Sequence, residues 1–238
     1  MSKYKGTIFL IPSFLSENNS SDVLSPQILD VVKNTDYYLV ENVRTARRFI
    51  SKLRTGRVIE ELIFFVLDKK TKEAEVLNYF AEIPEGSNIG IISEAGCPGV
   101  ADPGAVAVAL GHKNGYLVKP LPGPSSILLA LMGSGFSGQH FSFKGYLPIG
   151  RAERVKQIKE LERASRKGET QIFMETPFRN NHLLEDLLKE LDSETELCLA
   201  ADVTGDEELI KTKKIKDWKI GPVDFYKKPT IFLLGQSK

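Results

Sequence analysis

Short apolar runs alternate with amphipathic stretches through the first half of the chain. Residues 7–11, 37–40, 88–92 and 116–119 are rich in branched and aromatic side chains, as strands buried on both faces are. Residues 59–67 read as a further, mixed strand. Between the strands the spacing predicts helices. Ser25-Pro26 supplies an N-cap and a proline at the first helical position, with Leu24, Ile28, Leu29 and Val32 as the apolar stripe. Further helices are expected over 44–53, 70–81 and 104–114, the second with Ala74, Leu77 and Ala81 inward and the third stopped by Gly115. Strands alternating with helices imply a largely parallel sheet covered on its faces.

The pattern breaks at Pro120-Leu121-Pro122-Gly123-Pro124, which is too rich in proline for a helix and poor material for a strand. This segment is read as a linker between two α/β domains, residues 1–119 and 125–238. Beyond it, a short helix over 125–132 precedes strands at 141–144, 171–174, 197–201, 208–212 and 230–234. Helices fall at 151–167, with Ala152, Val155, Ile158 and Leu161 inward, and at 181–191. Strands outnumber helices at the end, so a mixed, partly antiparallel sheet is expected there. Gly133-Ser134-Gly135 reads as a turn.

Composition narrows the chemistry. The 238 residues are 42% hydrophobic with a formal net charge of +1, so only local patches can favour a polyanion. The two cysteines, Cys97 and Cys198, give no disulfide framework, and the three histidines lack metal-ligand spacing. Nothing at the start reads as a signal peptide, and no run reaches membrane length, so a soluble cytoplasmic protein is expected. Two basic clusters stand out: Arg151, Arg154, Lys156, Lys159, Arg163, Arg166 and Lys167 on one helix, and Lys211, Lys213, Lys214, Lys216 and Lys219. Each is either a solvated face or part of a surface for nucleic acid.

The segment 91–104 carries the strongest chemical signal. A buried strand ends at Ser93 and enters Glu94-Ala95-Gly96-Cys97-Pro98-Gly99, with Asp102-Pro103-Gly104 opening the next helix. Such βα loops hold ligands in parallel sheets, and their glycines permit close backbone approach. The dinucleotide and P-loop fingerprints are absent. Nothing nearby activates Cys97, which reads as a packing residue.

Residues 93–104 resemble the Ser-Asp-Ala-Gly-Thr-Pro…Asp-Pro-Gly signature of the ribosomal RNA 2′-O-ribose methyltransferases in the tetrapyrrole-methylase superfamily. Leu121-Pro122-Gly123-Pro124-Ser125 is similar to that family's Leu-Pro-Gly-Pro-Ser. Three more segments follow in family order: Glu41-Asn42-Val43-Arg44-Thr45, Phe143-Lys144-Gly145-Tyr146-Leu147-Pro148 and Glu175-Thr176-Pro177-Phe178-Arg179. The resemblance implies S-adenosyl-L-methionine bound in a cleft between two domains, a homodimer, and methylation of a ribose hydroxyl in small-subunit RNA. Cofactor contacts would then fall on Ser93, Glu94, Ala95, Gly96, Pro98, Asp102, Pro122, Gly123, Pro124 and Ser125. Glu41 and Glu94 are candidates for a catalytic base, being at strand ends on the ligand side; each also reads as a solvated or capping carboxylate. Arg44 and Arg179 are candidate phosphate contacts, with local ion pairs to Glu41 and Glu175 as the competing reading. Lys156, Lys159, Arg163 and Arg166 are the candidate RNA contacts on the basic helix.

The departures gather on the substrate side. Ile11-Pro12-Ser13-Phe14-Leu15-Ser16 stands for Thr-Pro-Ile-Gly-Asn-Leu, Leu67-Asp68-Lys69-Lys70 for a His-Glu-x-Asn stretch, and Phe178 for a histidine. Ala200-Ala201-Asp202-Val203-Thr204-Gly205 replaces Ala-Arg-Glu-Leu-Thr-Lys. Methylation of a tetrapyrrole-like small molecule, and a non-catalytic module that keeps the cofactor site, therefore stay open as alternatives.

Overall fold

The computed structural model describes residues 4–16, 18, 21–218 and 224–237. They form two compact units, Met1–Ser125 and Ser126–Lys238.

In the first unit, strands β1 (Thr7–Leu10), β2 (Tyr37–Val40), β3 (Ile63–Val66), β4 (Asn88–Ile92) and β5 (Leu117–Pro120) form one sheet in the order β3-β2-β4-β1-β5. Every pairing in it is parallel. Four helices connect the strands: α1 (Pro26–Lys33), α2 (Val43–Lys52), α3 (Glu73–Glu82) and α4 (Gly104–Lys113). Ile28, Val32, Ala46, Phe49 and Ile50 bury the α1/α2 layer against Tyr38, Val40 and Ile92. Val76, Phe80, Ala107 and Leu110 bury the α3/α4 layer against Ile8, Leu39, Ile89 and Ile91. Successive strand residues point to opposite layers, which is why these strands carry no polar face.

Local chemistry sets the boundaries. The Ser25 hydroxyl accepts from the Gln27 N–H at 3.3 Å, and Asn42 Oδ1 accepts from Arg44 N at 2.9 Å, so both helices open on side-chain caps. Gly115, at φ +80, follows α4 in the left-handed conformation. The expected strand over 59–67 divides into one turn of 3-10 helix, Ile59–Glu61, and β3.

The inward face expected for α3 is wrong. Ala74, Leu77 and Ala81 are exposed, while Val76 and Phe80 are buried and Ile83 continues their row. The same helical period fits both sets, and the larger side chains gain more from burial. The proline-rich segment also begins inside the sheet: Pro120 pairs with Leu10, and Leu121 N donates to Leu10 O at 3.0 Å. Pro120 sits on an edge strand, where a missing N–H is tolerated.

The second unit contains β6 (Phe141–Tyr146), β7 (Thr170–Glu175), β8 (Glu196–Ala201), β9 (Leu209–Lys214) and β10 (Thr230–Gly235), ordered β6-β7-β10-β8-β9. Only β6 and β7 pair in parallel. Helices α6 (Arg151–Arg166) and α7 (Asn180–Glu190), with the short α8 (Ile215–Trp218), cover one face around Phe173 and Phe232, whose rings stack at 5.7 Å. Helix α5 (Ser126–Ser134) packs against β8, β9 and β10. Gly133 and Ser134 belong to its last turn rather than to a free turn, since Ser134 Oγ donates to Leu131 O and accepts from Phe136 N. On α6, Ala152 is exposed; the buried row is Ile158, Leu161, Glu162 and Ser165. Glu162 can be buried because its Oε1 accepts from Asp192 N, Thr195 Oγ1 and Arg166 Nη2.

Gly90 marks the tightest point of the parallel sheet. A β-carbon there would lie 2.7 Å from the ring of Tyr38 and 2.9 Å from Ile11 Cδ1. Tyr38 is fully buried and cannot step aside. Gly90→Ala is expected to destabilise the protein by about 1–3 kcal/mol through overpacking. Urea unfolding checks this, and an unchanged midpoint would contradict it.

Candidate functional site

The site is built at the carboxyl ends of β1, β4 and β5. The chain leaves β1 toward β2 on one side and leaves β4 toward β5 on the other, although β1 and β4 are neighbours. Their loops therefore diverge and open a crevice at the topological switch point.

Three loops line it and hold one another. Ser13, buried, donates its N–H to Gly96 O at 2.9 Å and its hydroxyl to Ser93 O at 3.3 Å. The Cys97 thiol lies 3.3 Å from Pro124 O, tying the β4 loop to the β5 loop. Burial, with Asp102 nearby, pushes that thiol up, so it is a packing group and not a nucleophile. Gly123 meets the β1 loop: a β-carbon on it would fall 2.2 Å from Pro12 Cβ. Close approach is the reason for glycine here, since its φ is not in the left-handed region. Gly96 and Gly99 do use that region, at φ +72 and +84.

Asp102 organises the rest of the β4 loop. Its Oδ1 accepts from Gly99 N at 2.8 Å and from Gly104 N at 2.7 Å, closing the turn onto the start of α4. Its Oδ2 is buried and has no hydrogen-bond partner among the described residues. Glu41, one residue beyond β2, reaches the same place: its carboxylate lies close enough to the Glu94 backbone and to the Glu94 and Asp102 charges to feel all three. Burial pushes the Glu41 carboxyl up, the Glu94 N–H draws it down, and the charges of Glu94 and Asp102 raise it again. A half-open space of about 10 Å³ lies among Glu41, Ser93, Asp102 and Gly104, room for about one water molecule.

The predicted residues thus divide. Ser93, Glu94, Ala95, Gly96, Pro98 and Asp102 share the β4 loop, Pro122, Gly123, Pro124 and Ser125 share the β5 loop, and the two loops are in contact. Glu41 and Glu94 are also brought together. Pro12 and Ser13 were missed by sequence reasoning; the signal was a proline and a small polar residue directly after a buried strand. Arg44 is exposed on the first turn of α2 and forms no ion pair with Glu41 among the described residues, which removes that reading.

In the second unit several of the basic residues are already engaged. Arg151 and Arg154 hold Asp186 at 3.0 and 2.8 Å. Burial pushes that carboxyl up, but the two guanidiniums outweigh it and keep it below the ordinary carboxylate range. Arg166 lies within 3.5 Å of both Glu162 and Asp192. Lys214 and Lys216 share Glu194 and hold its carboxyl down to about 2, while Lys213 lies over the Trp218 ring. Lys219 lies outside the described residues. Arg179 pairs with Glu175 at 2.6 Å, as the four-residue spacing allows. Of the two clusters, that leaves Lys156, Lys159, Arg163, Lys167 and Lys211 without ion pairs among the described residues.

The charges at the crevice of the first unit suit S-adenosylmethionine, which the resemblance implies. It carries two cations and ribose hydroxyls, and the crevice offers three carboxylates and an orphaned buried acceptor.

The raised Glu41 carboxyl gives a test of the charge cluster. A carboxyl raised in the folded state adds stability below its unfolded value, and that stability is lost as pH climbs through the folded value. Glu41→Gln is therefore expected to melt higher than wild type at neutral pH, with the gain fading as pH falls toward the ordinary carboxylate range. Thermal melts across this window check it; a variant less stable at neutral pH would contradict the cluster.

Comparison with known proteins agrees with this architecture. Residues 21–218 match the family described as Tetrapyrrole (Corrin/Porphyrin) Methylases. A ribosomal RNA small subunit methyltransferase I of Vibrio cholerae is 31% identical over 205 residues, spanning 86% of this chain and 67% of that protein. One of the same name from Leptospira biflexa is 27% identical over 235 residues, 98% of this chain and 92% of that protein. Among solved structures, a diphthine synthase aligns with a TM-score of 0.68 at 15% identity, covering 96% of this chain and 88% of the other. A uroporphyrin-III-C-methyltransferase from Thermus thermophilus aligns at 0.57 and 19% identity, over 98% and 93% of the two chains. These structural likenesses show the fold. The chain belongs to the tetrapyrrole methylase family, and it is a methyltransferase.

Proposed function

We propose that this protein transfers a methyl group from S-adenosylmethionine to a ribose 2′-hydroxyl of small-subunit ribosomal RNA, acting in the cytoplasm as a homodimer. The observation that carries the reading is the gathering of Glu41, Glu94 and Asp102 at the switch point, with Asp102 Oδ2 buried and unpaired. The relatives named for small-subunit ribosomal RNA favour the acceptor. No helix among the described residues is long and apolar enough to cross a membrane.

The bound cofactor supplies a methyl group on a sulfonium, open to in-line displacement by an oxygen. The protein's part is positioning and proton removal. The β4 and β5 loops, held by Ser13, Cys97 and Gly123, fix where a ligand lies, and positioning alone contributes several kcal/mol, on the order of 7–11 at its best. Asp102 Oδ2 accepts a hydrogen bond or faces a cation. Glu41, its proton affinity raised by burial and like charge, is taken as the base. The Glu94 backbone N–H favours its charged form.

Arg44, Lys156, Lys159 and Arg163 remain the candidate phosphate contacts. Arg166 and Arg179 are occupied by carboxylates and position their own loops.

Three results follow. Tritiated methyl is expected to pass from cofactor to small ribosomal subunits lacking the modification, and to a tetrapyrrole not at all. Transfer to a tetrapyrrole alone would replace the acceptor; cofactor binding without transfer to either would make the chain a non-catalytic module. Cofactor at 100 times its Kd is expected to stabilise the fold by about 2.7 kcal/mol. Finally, replacing Lys156, Lys159 and Arg163 with Gln is expected to flatten the salt dependence of RNA binding by roughly 0.7 in log–log slope per lost phosphate contact. An unchanged slope would return α6 to a plain solvated face.

A further inference from the structure

Two large rings lie in the open at one end of the second unit's sheet. Phe178 follows the carboxyl end of β7 and is 63% exposed; Tyr226 precedes β10 and is 50% exposed. Their centroids are 6.0 Å apart in an edge-to-face arrangement. Neither ring serves the core, because Phe225 fills that place at 3% exposure. Strands β7 and β10 are antiparallel neighbours, and their pairing Thr230↔Glu175 brings the two loops to the same end.

The backbone beneath the rings is fixed. Lys227 N donates to Pro177 O at 3.0 Å, joining the loops directly. The buried Asn180 side chain donates to the carbonyls of Phe225 and Lys228, and Tyr226 N donates to Asp224 Oδ1 at 2.8 Å. Lys227 adopts φ +62, a conformation disfavoured for a side-chain-bearing residue, and these bonds hold it there. A pair of exposed rings on an anchored loop loses little side-chain freedom when a ligand stacks on it.

The charges nearby are unequal in availability. Glu175 is taken by Arg179, Glu207 by Lys228, and Asp224 accepts from Asn181 and Tyr226. Lys227 has no carboxylate partner among the described residues, and its ammonium sits 5.3 Å from the Tyr226 ring centroid. The platform therefore presents exposed aromatic surface beside a cation that no carboxylate holds among the described residues. A ligand with planar rings strung on an anionic backbone matches both features, as single-stranded RNA does.

We propose that Phe178 and Tyr226, with Lys227, form a stacking platform for unpaired bases of the RNA substrate, at a place separate from the basic face of α6. The inference rests on the RNA reading above and adds the surface that grips bases rather than phosphates. Stacking is tolerant of sequence, so the platform holds an RNA strand without selecting its bases.

The test uses the full-length protein and a fluorescein-labelled 12-nucleotide single-stranded RNA, with inorganic polyphosphate as a base-free polyanion. Phe178→Ala, Phe178→Leu and Tyr226→Ala are each expected to weaken RNA binding by at least about 5-fold, the effect of losing one stacked base. Phe178→Leu keeps the apolar bulk but has no π-face, so its loss separates stacking from simple burial. Tyr226→Phe is expected to bind as wild type does. Polyphosphate binding, the salt slope and cofactor affinity are expected to stay at wild-type values in all four. RNA affinity unchanged in the alanine variants would overturn the platform and leave the functional reading standing. A fall in cofactor affinity matching the fall in RNA affinity would also overturn it, assigning the rings to the cofactor's adenine. Wild-type protein that binds no RNA at low salt would overturn both.

Discussion

Everything at the candidate site depends on two parallel strands, β1 and β4, lying side by side while their chains depart in opposite directions. Parallel strands need long crossovers, and right-handed crossovers to opposite sides must put their helices on opposite faces. The α1/α2 and α3/α4 layers follow from that rule. So does the gap between the first loop and the fourth, which no side chain had to be selected to create. What selection added is the fastening: Ser13 to Ser93 and Gly96, Cys97 to Pro124, and Gly123 against Pro12.

The second constraint is charge. Three carboxylates converge on the crevice, and like charges raise one another's proton affinity. Asp102 is committed through Oδ1 to two backbone N–H groups and carries an unsatisfied Oδ2. An unpaired buried acceptor is costly, and this one lies at a switch point, where a ligand's donor or cation would satisfy it. The second unit shows the contrary design: its buried or half-buried carboxylates, Glu162, Glu175 and Asp186, are each closed by arginine or backbone partners. Contrast between satisfied and unsatisfied carboxylates, more than any one motif, separates the site from the scaffold.

Much of this was legible in the sequence. The strands at 37–40 and 88–92 were placed to the residue, because apolar runs flanked by caps and turns leave little freedom. The change from a parallel to a mixed sheet was legible in the density of strands after residue 195. What failed did so where period or composition underdetermines packing. On α3 two rows of apolar residues share the same spacing, and only tertiary contact selects Val76 and Phe80 over Ala74 and Leu77. The basic clusters read as free charge, yet Arg151, Arg154, Arg166, Lys214 and Lys216 find carboxylates that lie far off in sequence. The need for glycine at 123 has a reason that was not legible, since nothing in the sequence places Pro12 against it. Ser13 escaped notice because a serine after a strand is unremarkable until its two partners are known.

The central claim is that the crevice between the β1, β4 and β5 loops is where the methyl donor binds. Hydrogen–deuterium exchange with and without S-adenosylmethionine tests it most directly. Amides of residues 93–104 and 121–125 are predicted to slow together on addition of the cofactor, while the strands β6–β10 keep their exchange rates. Saturating cofactor that leaves both loops unchanged, or protects only some other region, would contradict the account.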